Sequence, residues 1–187
     1  AQARHKAEQA GLTTRITMVE AELRHFALAE TGFDFVFCVS NTLMHLTTQA
    51  DQLVALENAH RHLCPGGRLL IDLFSPDLPH LMQMAGAPVL ADQWWDEARN
   101  ATVMKWVVRE VDVARQLQET TFIYETVFGD GHSEKTVLPF TLRFLWPSEG
   151  ALLLEKAGFR VEEVWGDFDG NGYDSDSERL IFLASKP

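Results

Sequence analysis

The sequence predicts an α/β fold: a mostly parallel sheet, an inserted antiparallel β-meander and a closing hairpin. Three observations predict it. First, Phe33–Val39 (FDFVFCV) and Arg68–Phe74 (RLLIDLF) are nearly continuous apolar runs, as expected of strands covered on both faces. Between them, Leu53, Leu56, Ala59 and Leu63 recur at helical spacing, which makes the unit a right-handed βαβ crossover. Second, the period changes after residue 100 to alternating, β-branched runs, as antiparallel strands require. Third, Phe159–Trp165 and Arg179–Ser185 are two further apolar strands joined by an acidic loop. In open parallel sheets ligands bind beyond the carboxyl ends of the strands. Cys38–Asn41 and Asp72–Ser75 stand at those ends.

Taken in order, residues 1–10 favour a helix that stops at Gly11, a natural C-terminal cap. Arg15–Glu20 reads as a strand. Phe33–Val39 follows, then the helix from Gln49 to Leu63, the Cys64-Pro65-Gly66-Gly67 turn and the Arg68–Phe74 strand. Residues 76–100 are expected to be irregular, because Pro76, Pro79 and Pro88 break any long element. Thr102–Val113, Gln116–Phe128 and Lys135–Trp146 are expected to be three antiparallel strands. Gly129-Asp130-Gly131 is the hairpin turn between the last two. Pro147–Ala157 returns to helix, with Pro147 at its start and Gly158 after its end.

Composition bounds the function. The 187 residues are 46% hydrophobic and 23% charged, which suits one globular domain. A net charge of −11 and no Lys/Arg cluster argue against a nucleic-acid surface. No apolar run approaches the roughly 20 residues that span a bilayer. The two cysteines, Cys38 and Cys64, fall in or beside core elements. Without a framework of paired cysteines a cytoplasmic location is expected.

The ordered series resembles a known family. It runs from an Asp in a buried strand (Asp34), through a loop ending in Asn41-Thr42-Leu43-Met44-His45-Leu46, to Leu63-Cys64-Pro65-Gly66-Gly67 and a second strand. It is similar to the class I S-adenosylmethionine-dependent methyltransferases, in their small-molecule branch. The likeness covers residues 1 to about 80 and 144–187. It implies a Rossmann-like methyltransferase three-layer sandwich, with the final strand antiparallel. It divides the chain into 1–80, the C-terminal part of the cofactor-binding core; 81–146, an irregular segment and antiparallel insertion forming a substrate lid; and 147–187, the final helix and hairpin that complete the core.

The family's Gly-x-Gly loop after the first strand, and the acidic residue ending the second, have no counterpart here. The resemblance therefore implies that the first two strands lie upstream of this sequence. A sheet without them leaves unpaired N–H and C=O groups, each costing roughly 1–3 kcal/mol when buried. The expected resolutions are truncation of a longer enzyme, a homodimer completing the sheet by strand exchange, or a rearranged and inactive fold. Truncation is preferred.

The resemblance implies Glu22 and Leu23 as adenine contacts, and Cys38, Val39 and Ser40 as contacts to the methionine part of S-adenosylmethionine. Glu22 is equally read as a solvated carboxylate, and Cys38 as inert strand packing. Asn41 can hydrogen-bond a carboxylate or a substrate. His45 is the candidate general base, since histidine changes charge near neutral pH, although packing against the next helix serves equally. Trp106, Tyr124 and Arg143, with Tyr173, are candidate substrate contacts. An interior Arg143 needs a partner, and Glu125 or Glu110 across the sheet would serve as well as a substrate anion. Asp167-x-Asp169-x-Asn171-Gly172 with Glu178 matches a calcium-loop pattern, but strands rather than helices flank it, so no metal is expected. His60 and His62, at i and i+2, do not share a helical face. Trp94-Trp95 reads as a core anchor, a lid or an interface patch.

The expected function is methyl transfer from S-adenosylmethionine to a small-molecule amine or hydroxyl, with S-adenosylhomocysteine as product. No nucleic-acid or membrane partner is expected. Two rivals stand beside it: a non-catalytic methyltransferase-like subunit acting through oligomerisation, and a nucleotide-dependent oxidoreductase. The absent Gly fingerprint and the final antiparallel hairpin disfavour the second.

Overall fold

The structure is a computed structural model that describes residues 2–77, 82 and 85–187. Pro79 and the expected division at 80/81 lie outside the described residues. The helices are α1 (Gln2–Gln9), α2 (Gln49–His62) and α3 (Pro147–Lys156). The strands are β1 (Phe33–Cys38), β2 (Leu63–Phe74), β3 (Val89–Asp96), β4 (Ala101–Asp112), β5 (Leu117–Phe128), β6 (Ser133–Arg143), β7 (Arg160–Trp165) and β8 (Arg179–Ser185). They form two sheets, ordered β1-β2-β8-β7 and β3-β4-β5-β6.

In the first sheet β1 and β2 pair parallel, while β8 pairs antiparallel with both β2 and β7. Three strands therefore run one way and the final strand runs against them. α2 starts on Thr48, whose hydroxyl accepts from Asp51 N–H at 3.1 Å. α2 and α3 pack on each other and against this sheet, burying Leu56, Ile71, Leu73, Phe144, Leu154 and Phe182. The Pro-Gly-Gly turn has a steric cause: Gly66 has φ +79°, and a Cβ on Gly67 would meet the Phe33 carbonyl at 2.8 Å.

Gly150 in α3 lies against the far end of the Phe182 ring, with no room for a Cβ. Gly150→Ala is expected to lower stability by about 1–3 kcal/mol through overpacking, despite alanine's better helix propensity. A urea midpoint unchanged or raised would refute this contact.

Three expectations need correction. Arg15–Glu20 forms no strand; a strand needs a neighbour to take its N–H and C=O groups, and none lies beside this segment among the described residues. β1 is not covered on both faces. Val36 and Cys38 pack on the core cluster, so Phe35 and Phe37, alternating with them, point to the other face and are 49% and 64% exposed. β1 is also an edge strand. Finally, the meander has four strands, because Val89–Asp96, expected to be irregular, pairs with β4 from Val89↔Val107 to Asp96↔Ala101. The proline-based expectation fails because Pro88 lies just before the strand, where a missing N–H is harmless. Among the described residues no helix is long and apolar enough to cross a membrane.

Candidate functional site

The site begins where β1 ends. Ser40 and Asn41 both adopt left-handed backbone, with φ 57° and 62°. That is uncommon for non-glycine residues and is held only by surrounding structure. Asp72, at the end of β2 and 3% exposed, supplies the hold. Its Oδ2 accepts from Ser40 N–H at 3.0 Å, and its carbonyl accepts from Asn41 N–H at 3.1 Å. Asn41 Oδ1 in turn accepts from Phe74 N–H at 2.7 Å. Asp72 Oδ1 accepts from Arg179 Nε at 2.8 Å and from a second nitrogen of the same guanidinium. The carboxyl ends of β1 and β2 and the start of β8 are thus tied through one carboxylate.

Over these ends lies one face of the meander. Register places Arg109 beside Thr120 and Phe140, Val107 beside Phe122 and Leu138, and Val111 beside Gln118 and Leu142. Between the two sheets is a cavity of about 950 Å³, large enough for a small organic ligand. The core contributes Ser40, Asn41, His45, Phe74, Ser75 and Asp77. The meander contributes Arg109, Gln118, Thr120, Phe122, Leu138, Phe140 and Leu142. The β7–β8 loop contributes Ser175, Asp176, Ser177 and Glu178.

Of the residues singled out from sequence, Ser40, Asn41 and His45 line this cavity. The His45 ring lies 5.8 Å from that of Phe140, which links the core to the meander. Tyr173 stands behind the wall, its hydroxyl 2.8 Å from Ser75 Oγ. Cys38 is turned into the core; burial pushes its thiol up to about 11, and nearby Asp72 adds to this. Val39 is partly exposed. Tyr124 shares the face of Phe122 but packs edge-on against Trp94, ring centroids 6.3 Å apart. Trp106 pairs with Ile123 and stands on the opposite face of the meander.

Arg143 is a correction. Its partner is neither Glu125 nor Glu110 but Glu149 of α3, at 2.6 Å, with Gln52 Oε1 at 3.0 Å and Gln116 Oε1 at 3.1 Å. Glu125 pairs with Lys135 instead, at 3.2 Å. Arg143 sits at the end of β6, so it reaches the helices rather than across the sheet.

Glu22 is exposed and does not line the cavity; it holds Arg24 Nε at 2.8 Å, and that hydrogen bond keeps its carboxyl below its usual pKa. Leu23 packs on the core. In the acidic loop, Asp167 accepts from Asp169 N–H, Asn171 N–H and Asn171 Nδ2 at 2.7–3.1 Å. The loop's first carboxylate therefore shapes a turn. Among the described residues no group of three or more His, Cys, Asp or Glu is arranged to hold a metal ion.

The sequence reading missed Arg109, Gln118, Thr120, Phe122 and Phe140. A signal existed: Gln118, Thr120 and Phe122 share Tyr124's face by period-2 alternation. Which face meets the core is not a local property.

Comparison with known proteins places this geometry. Residues 1–67 match the family model described as a methyltransferase domain. The CcbJ methyltransferase from Streptomyces caelestis superposes with a TM-score of 0.78 at 21% identity, covering 98% of this chain and 73% of that one. The chain has a methyltransferase fold. An S-adenosylmethionine-dependent methyltransferase from Clostridium acetobutylicum gives TM-score 0.80 at 13% identity over 99% of this chain and 70% of its own. CalS10, an amino pentose methyltransferase from Micromonospora echinaspora solved with S-adenosylmethionine bound, gives 0.68 at 20% over 97% and 71%. No curated protein matches the chain. The methyltransferase likeness read from the Asp34–Phe74 series is therefore the likeness that both the domain match over residues 1–67 and the fold carry.

In this methyltransferase fold the cavity occupies the carboxyl edge of the parallel strands. The fit to S-adenosylmethionine is partial. The Ser40–Asn41 turn has both N–H groups engaged by Asp72. It therefore presents acceptors, which suit the ammonium of a methionine moiety. The adenine side has no counterpart in the cavity lining, since Glu22 and Leu23 do not contribute to it.

Proposed function

We propose that this chain takes part in S-adenosylmethionine-dependent methyl transfer to a small-molecule amine held between the core sheet and the meander. The observation that carries the reading is the cavity itself, with the Ser40–Asn41 turn and His45 on one side and the Phe122, Leu138 and Phe140 side chains on the other. The likeness to an amino pentose methyltransferase supports an amine acceptor. When bound, S-adenosylmethionine would supply an electrophilic methyl group on a sulfonium. The chain's own residues would then bring the acceptor into line, which is much of what such a transfer needs. Phe122 and Phe140 of the meander give the acceptor an apolar wall to lie against, and His45 takes the proton that the acceptor nitrogen sheds.

Calorimetric titration of the chain with S-adenosylhomocysteine tests the binding half; no heat of binding at millimolar ligand would sink it. For the proton-transfer role, His45→Ala is expected to lower kcat/KM about 100-fold while S-adenosylhomocysteine affinity stays the same. Equal losses in both would make His45 a binding residue instead.

A second reading, an assembly role, is favoured by one observation: β1 is an edge strand carrying exposed Phe35 and Phe37, an apolar edge of the kind that invites pairing. A dimer mass in light scattering that Phe37→Lys reduces to a monomer would support it.

A further inference from the structure

The cavity wall contains a cation with nothing to hold. Arg109 is half-buried on the inner face of β4, and among the described residues no carboxylate lies within ion-pair distance of its guanidinium. Arg24, Arg143 and Arg179, similarly or more deeply placed, each hold a carboxylate within 3 Å. Lys105, four residues away on the same face, sits over the Phe122 ring at 4.1 Å and so has an aromatic partner. Arg109 has neither. Burial lowers its pKa, and no nearby charge offsets that effect. A guanidinium half withdrawn from water without a partner is costly, and Arg is the side chain best shaped to take a planar carboxylate or a phosphate in two hydrogen bonds. Its backbone is fixed, because its carbonyl accepts from Gly86 N–H at 2.8 Å.

A second unmet group lies one register position along. Gln118, 5% exposed, gives its Nε2 to Thr120 Oγ1 at 2.8 Å and leaves its Oε1 without a donor. Buried amide oxygens of this kind are rare in finished sites. The opposite wall is acidic, with Asp176 and Glu178 from the β7–β8 loop. A ligand of anions alone would be repelled there. One carrying both an ammonium and an anionic group would match both walls.

We propose that Arg109 anchors an oxyanion, a phosphate ester or a carboxylate, borne by the methyl acceptor itself. The proposal rests on the methyl-transfer reading above for the word acceptor, but the anion site is a property of the meander and is read without catalysis. The acceptor class is an aminated small molecule bearing a phosphate or carboxylate. Arg109 is a specificity residue for it.

The test is titration of the full chain, labelled at arginine Nε with 15N, with glucosamine 1-phosphate, with glucosamine and with S-adenosylhomocysteine. The Arg109 signal is assigned by its loss in Arg109→Lys. The expected result is that glucosamine 1-phosphate shifts the Arg109 signal and binds about 10- to 100-fold more tightly than glucosamine. Arg109→Gln should erase that difference, Arg109→Lys should keep part of it, and S-adenosylhomocysteine binding should be the same in all three proteins. Equal binding of the two sugars by the unsubstituted chain overturns the proposal. So does loss of S-adenosylhomocysteine binding in a folded Arg109→Gln, which would assign the arginine to the cofactor's carboxylate. Failure of S-adenosylhomocysteine to bind any of them would refute the methyltransferase reading while leaving the phosphate comparison to decide Arg109.

Discussion

Asp72→Ala is expected to abolish ligand binding in the cavity and to destabilise the fold by about 3 kcal/mol, the lower end of the cost of breaking a buried ion pair. The lower end applies because the Arg179 side chain keeps 25% exposure. Alanine leaves the Arg179 guanidinium without its carboxylate and the Ser40 N–H without its acceptor. Ser40 then loses the side-chain hold on its left-handed backbone, and strain of about 1–3 kcal/mol drives it to relax, while Asn41 keeps its bonds to the residue-72 carbonyl and to Phe74 N–H. The cavity loses part of its floor because Ser40 lines it. Asp72→Asn separates the contributions: its amide oxygen can still accept one hydrogen bond, so the turn should persist better than with alanine. Two measurements check this, the thermal midpoint and S-adenosylhomocysteine affinity by calorimetry. A midpoint drop of roughly 6–12 °C is expected for a chain of this size. If the alanine variant binds the ligand as the parent does, the turn is held by something other than Asp72.

Arg143→Ala should cost more, about 3–5 kcal/mol, because the ion pair is drier: side-chain exposure is 6% for Arg143 and 16% for Glu149. The cluster joins the end of β6 to α2 and α3 through Gln52, Gln116 and Glu149. It is the clamp that seats the meander on the core. Removing the arginine leaves the Glu149 carboxylate without its counter-charge, held only by its two glutamine donors, and strands two amide oxygens. Arg143→Met with Glu149→Leu removes both charges and should recover much of the loss, since replacing a whole buried pair is far cheaper than halving it.

The pH dependence follows from Glu149. Burial alone would raise its pKa, but hydrogen bonds from Gln116, Gln49 and Arg143 outweigh that and hold it below its ordinary value of 4.5. A carboxylate depressed in the folded state contributes stability that is fully present above its unfolded pKa and is lost as pH falls through the folded one. Urea midpoints at pH 7 and pH 3.5 should therefore differ more for the parent than for the charge-free double variant. Equal slopes in both would show that other carboxylates govern acid unfolding.

Much of the core was legible in the chain because its signals are local. The helical spacing of Leu53, Leu56 and Ala59, the Pro-Gly-Gly turn and the Gly129-Asp130-Gly131 hairpin each act within a few residues. The carboxyl ends of β1 and β2 could be marked as a site on the crossover alone, and Asn41 and His45 do line the cavity found there. Trp106 and Arg143 illustrate the limit. Both are conspicuous residue types in apolar strands, yet one stands on the far face and the other closes a buried clamp. A strand's period says that two faces exist and not which of them meets the core.

Local propensity thus determined the βαβ unit, the meander's hairpins and the closing strands. Tertiary structure alone decided the register of the four meander strands, hence that Arg109 and Gln118 rather than Trp106 face the cavity. It also decided the partners of the buried charges, Asp72 with Arg179 across 107 residues and Arg143 with Gln52 across 91. The physical reason is that hydrophobic period and turn chemistry are short-range, whereas a buried charge is satisfied by whichever partner the packing of distant segments brings within hydrogen-bond reach.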